Sequence, residues 1–113
     1  MKYLMFVCTD PEPDTSTEPM PDIEKWFTEV EGSGKHVVGD RLRPAEDATT
    51  VRVRSGELLI TDGPFTEAKD WIAGFDVLEC DDLDEAVEIA ARHPMARGGR
   101  LEIRPFWPLD LEG

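Results

Sequence analysis

The 113-residue chain is poor in positive charge, cysteine and histidine. Against 25 Asp and Glu stand only 12 Lys and Arg, a formal net charge of −13. Binding to nucleic acid draws on clustered Lys and Arg that displace counterions from phosphates, so no direct nucleic-acid contact is expected. The acidity itself reads as solubility. Cys8 and Cys80 are too few and too far apart for a metal knuckle. Each closes an apolar run, as a buried thiol in a reducing compartment does, and a disulfide between them is not expected. No apolar run approaches the ~20 residues of a membrane span. The run from Tyr3 to Cys8 is also shorter than the ~7–15-residue core of a secretion signal with its cleavage site. A cytoplasmic location without membrane association follows. Nucleophile elbow, phosphate loop and metal-ligand spacing are all missing, so neither a cofactor nor a metal is expected.

What the chain does contain is a sequence of well-marked elements within one domain, residues 1–113. Tyr3 to Cys8 is nearly all apolar, as in a central strand covered on both faces. Thr9 to Asp22 carries prolines at 11, 13, 19 and 21 and reads as a long acidic loop, a surface feature or a lid. Asp22 suits a helix N-cap, and Ile23, Trp26, Phe27 and Val30 follow at helical spacing before Gly32 and Gly34. Lys35 to Leu42 is again extended.

"TTVRVRSGELLITDG" predicts a hairpin, with Val51 and Val53 alternating against polar residues and Ser55-Gly56 at the turn. Trp71 to Cys80 is a further strand. "DDLDEAVEIAARHP" predicts a helix opened by Asp82 and Glu85 in a capping-box variant and stopped at Pro94, with Leu83, Ala86, Val87 and Ala90 as its buried stripe. His93 at its end suits the helix dipole as a cation. "GRLEIRPF" closes the chain with alternating Leu101 and Ile103.

The order β-α-β, hairpin, β-α-β, with each helix amphipathic on one stripe, implies an α+β fold with both helices on one sheet face. This is a ferredoxin-like sandwich with an added β-hairpin. Its other face is partly apolar and expects a partner, so two sheets closing on each other would form a symmetric homodimer.

The nonapeptide DGPFTEAKD, starting at Asp62, resembles the DGPF motif of the YCII-related family. The preceding hairpin, "IAGFDVLEC", "DLDEAVEIAARHP" and "GRLEIRPF" agree with that family, so the resemblance covers nearly the whole chain. Asp70 stands where Glu is usual, and Ala68 where Thr is frequent. The resemblance implies a dimeric α/β barrel of ferredoxin-like subunits. It also implies two kinds of role. Simpler relatives are associated with acid–base chemistry by a His and an Asp, their His lying in the first helix, where this chain has none. Others are associated with transcription and alternative sigma factors.

Among single residues, Asp62 follows Leu58 and Ile60 on a strand face, where desolvation would raise its pKa for proton transfer. Alternatively it accepts N–H bonds within its own turn. His36 is its expected acid–base partner, histidine being the side chain whose ordinary pKa is nearest neutrality, or else a structural residue. Phe65, Lys69 and Trp71 would line a ligand cleft walled by the DGPF loop, or serve packing and surface pairing. Arg52 and Arg104 would bind a ligand's anionic group, or form salt bridges. Two functions follow: a small-molecule-binding dimer with cofactor-free acid–base chemistry through Asp62 and His36, or a non-catalytic module docking a transcription-linked protein.

Overall fold

The computed structural model describes residues 1–63 and 72–109. Six strands run in chain order: β1 (Lys2–Cys8), β2 (His36–Arg41), β3 (Thr49–Arg54), β4 (Glu57–Asp62), β5 (Ile72–Glu79) and β6 (Arg100–Pro105). Three helices join them: α1 (Ile23–Gly32), α2 (Leu83–Ala91) and the short α3 (Met95–Gly98). Four strands form one antiparallel sheet in the order β2-β5-β1-β6, while β3 and β4 form a separate two-stranded sheet. The fold is thus mixed α+β, and the described residues close no barrel.

Antiparallel register decides which side chains face the helices. Tyr3, Met5 and Val7 of β1 lie opposite Leu78, Asp76 and Gly74 of β5. This face is buried against Trp26 and Val30 of α1 and Ala86, Ile89 and Ala90 of α2, so both helices cover the same side. The outer face carries Leu4 and Phe6 opposite Val77 and Phe75, all half-buried. The strand expected to be covered on both faces is therefore sealed on one only.

Asp22 caps α1 through its carboxylate, which accepts the Glu24 N–H at 2.9 Å. At α2, Asp82 Oδ1 accepts from Glu85 N, and Glu85 Oε1 accepts from Asp81 N, one residue before the usual capping-box donor. The buried stripe of α2 differs from expectation. Leu83 and Val87 are each half exposed, and Ile89 joins Ala86 and Ala90 in the core. Trp26 explains the rotation, because its indole N–H donates to the Ile89 carbonyl at 2.9 Å and draws that side of α2 inward. The two alanines then allow close helix–sheet approach.

The hairpin turn is as expected. Ser55 and Gly56 both adopt positive φ, 52° and 77°, the two-residue turn that matches strand twist. Cys8 and Cys80 form no disulfide and are buried at opposite ends of the β1–β5 pair, about 20 Å apart at strand rise, beyond disulfide reach. No helix among the described residues is long and apolar enough to cross a membrane.

The Thr9–Asp22 segment has no regular structure and is nearly all exposed, yet it is tied down by one side chain. The Arg97 guanidinium on α3 donates to Asp14 Oδ2 at 2.6 Å and to the carbonyls of Pro19, Ser16 and Glu18. Arg97 also accepts the Asp14 N–H on its own carbonyl. Its planar donors span acceptors that lack any apolar anchor of their own.

Candidate functional site

A cleft of about 930 Å³ lies on the helix side of the sheet, between α1, the Arg97-tethered segment, α3 and the ends of β2 and β5. Its walls are mainly apolar, with Trp26, Phe27, Met20 and Met95 among them. On its floor is Asp76.

Asp76 reaches this floor because β5 alternates. It shares a face with Gly74 and Leu78, where a carboxylate would not be placed for stability. Its neighbour on β2 is Gly39, and a Cβ there would collide with Asp76 Oδ1 and come within 2.6 Å of the Phe75 carbonyl. The bare glycine thus gives the carboxylate its room. His36 enters from the start of β2, its Nε2 2.8 Å from Asp76 Oδ1, with side chains 6% and 13% exposed. A register shift between His36 and Val38 turns the imidazole toward Asp76. Phe27 packs its edge on the His36 ring, centroids 4.9 Å apart, and walls it from solvent.

Burial raises the Asp76 pKa above the usual carboxylate value, and the hydrogen bond and charge of His36 only partly oppose it. With Oδ1 engaged, the second oxygen is left for a ligand. The arrangement suits exchange of a proton between a carboxyl group and a bound molecule.

A second histidine closes the other end of the cleft. His93 is 5% exposed and stacks edge-on with Trp26 at 4.7 Å. Its Nδ1 accepts the Met95 N–H at 2.9 Å, so the neutral ring carries its proton on Nε2. Burial lowers its pKa. The expectation of a cation at the α2 terminus is corrected: α2 ends at Ala91, Arg92 caps it, and His93 turns inward.

The expected couple of His36 and Asp62 is not brought together, because His36 is engaged by Asp76. Asp62 ends β4, exposed and opposite Thr49 on the separate hairpin, and no described residue donates a hydrogen bond to its carboxylate. Arg52 lies on β3 opposite Leu59, also on the hairpin. Arg104 opposes Leu4 on the outer sheet face, beside a small hollow with Phe106 and Trp107, across the sheet from the cleft. Phe65, Lys69 and Trp71 lie outside the described residues. Ala73 of β5 lines the cleft.

Asp76 was absent from the expected site. Its signal was the carboxylate in the middle of "IAGFDVLEC", flanked by apolar residues and on the face of Gly74 and Leu78. Among the described residues no group of three His, Cys, Asp or Glu is gathered as metal ligands.

The sequence is 40% identical over 68 residues to an uncharacterised protein of Rhizobium meliloti (strain 1021), an alignment covering 58% of this chain and 55% of the relative. The chain thus matches little more than half the length of that relative. The family model of the YCII-related domain matches residues 1–110, and the chain belongs to the YCII-related family.

Proposed function

We propose that the protein is a homodimer of ferredoxin-like subunits that binds a small molecule in the cleft and exchanges a proton with it through Asp76. The observation that carries this reading is the carboxyl itself: buried on an apolar floor, held on one oxygen by His36, and bonded to no described residue on the other. Asp76 takes the carboxylate role first assigned to Asp62, and His36 becomes the residue that orients it. For a ligand with an acidic C–H beside a carbonyl, the proton passes to Asp76 Oδ2 and the electron pair to the carbonyl oxygen. Return of the proton to the same or a neighbouring atom restores the carboxylate. The cycle consumes no oxidant or reductant. Desolvation helps because the proton affinity of Asp76 moves toward that of the working pH.

The test is deuterium incorporation into small carbonyl compounds in heavy water. Protein-dependent exchange that falls by roughly a hundredfold or more in Asp76→Asn supports the reading. Exchange undiminished in Asp76→Asn, with the variant folded, removes it.

A second reading, protein docking, is favoured by a different observation. Val51, Val53, Leu58 and Ile60 form one face of the hairpin and are each 58–62% exposed. Such a row on a two-stranded sheet is unstable in water without a cover. In the proposed dimer the second copy supplies it, together with the outer sheet face. Light scattering on wild type and Leu58→Lys decides: a dimer that becomes a monomer on substitution supports self-association. A wild-type monomer leaves the row to a different protein, such as a transcription factor.

A further inference from the structure

Arg41 stands out against the charge of the molecule. Among the described residues lining the cleft it is the one Lys or Arg, and no described residue forms an ion pair with it. Every arginine from Arg92 to Arg100, by contrast, is tied to an acidic side chain. In a protein of net charge −13, a guanidinium with no carboxylate partner among the described residues is available for one from outside.

Its position relative to Asp76 is set by the strands. Arg41 lies opposite Gly74, and Gly39 lies opposite Asp76, so Arg41 and Asp76 are diagonal neighbours on the helix-facing side of β2 and β5. Their α-carbons are then about 7–8 Å apart. Gly74, between them, contributes no side chain, and Arg41, Gly74 and Asp76 all line the cleft. The other charges on the lining are Glu24 of α1 and Asp40. Asp40 alternates to the opposite sheet face, and its Oδ1 accepts the backbone N–H of Arg41 at 2.9 Å.

Building on the proton-transfer reading, we infer that the ligand is an apolar monocarboxylate whose acid group pairs with Arg41 while its reactive carbon or oxygen lies at Asp76. A planar guanidinium recognises a carboxylate through two parallel hydrogen bonds. The apolar walls formed by Trp26, Phe27 and Met20 suit an aromatic or branched aliphatic body. Multiply charged ligands such as sugar phosphates are disfavoured, because the net negative charge of the protein repels them while only one cation attracts them. The span of a few carbon atoms between acid group and reactive centre matches a 2-oxo or 3-oxo acid.

The probes are phenylpyruvate and its uncharged counterpart phenylacetone, measured against wild type, Arg41→Gln and Asp76→Asn by ligand-observed NMR. Benzylic deuterium incorporation is followed in the same samples. Wild type is expected to bind phenylpyruvate at least about tenfold more tightly than phenylacetone. Arg41→Gln removes that preference and leaves phenylacetone binding unchanged. Asp76→Asn retains the preference and loses exchange. Arg41 is exposed, so its substitution spares the core, and a thermal melt verifies this. Equal binding of the two probes by wild type, with exchange intact, overturns the Arg41 anchor and leaves proton transfer standing. A preference for phenylpyruvate without protein-dependent exchange keeps the anchor and overturns proton transfer. Failure of both probes to bind at millimolar concentration overturns both.

Discussion

Gly39 and Asp76 face each other across β2 and β5 so closely that any side chain on the first would displace the carboxyl of the second. A buried acid with a reserved space is costly to stability, and here the space is bounded by backbone as well as by the Asp76 side chain.

Gly39→Ala therefore tests the reserved space. The added methyl meets the Phe75 carbonyl, which cannot swing aside as a side chain would. Destabilisation of about 1–3 kcal/mol is expected from such overpacking, together with loss of the His36–Asp76 hydrogen bond. Chemical denaturation and the His36 imidazole resonances report the two effects separately.

Asp76→Asn tests the carboxyl. Because the folded pKa of Asp76 is raised, the protonated form is the one the fold favours. Its contribution is fully present below the unfolded value, about 3.9, and is lost as pH rises through the folded value. Asn keeps the volume, and its side-chain oxygen can still accept from His36. The variant should melt at or above the wild-type temperature at neutral pH, and the two curves should converge on acidification toward pH ~4. A variant that melts well below wild type at neutral pH would contradict this.

His93 gives the opposite slope. Its folded pKa is depressed by burial, so its contribution is present above the unfolded value of about 6.5 and is lost as pH falls through the folded value. His93→Gln preserves an acceptor for the Met95 N–H and removes the titration. Between pH ~7 and ~5 the variant should lose less stability than wild type. Thermal melts across that range measure the difference.

Arg97→Met releases the segment from Thr9 to Asp22, which loses its four guanidinium bonds. The core is untouched, since that segment buries almost nothing. Limited proteolysis should cut first between residues 14 and 20 and faster than in wild type, while the global melting temperature changes little. Met20 borders the cleft on this segment, so probe affinity should fall with its release.

Local pattern was enough for much of the fold. Helix caps at Asp22 and Asp82, the Ser55-Gly56 turn and the alternation in each strand depend on neighbours within a few residues, and these were legible. The motif DGPFTEAKD and its flanking patterns were sufficient to indicate the family. The inward turn of His93, the Ile89 face of α2 and the Arg97 tether depend on partners 63 to 83 residues away, as with Trp26–Ile89 and Arg97–Asp14. No periodicity encodes such pairs.

The site shows the same division most clearly. The sequence by itself determined that the protein is acidic, α+β, and supplied with a histidine suited to a proton-exchange pair. Which carboxylate that histidine meets was decided only when β2 docked beside β5, because antiparallel register, not sequence proximity, sets cross-strand partners. His36 and Asp76 are 40 residues apart, and the hairpin bearing Asp62 folds into a separate sheet between them. The pairing energy of a sheet is spread along its whole edge, so a single residue's partner is a property of the assembled strands.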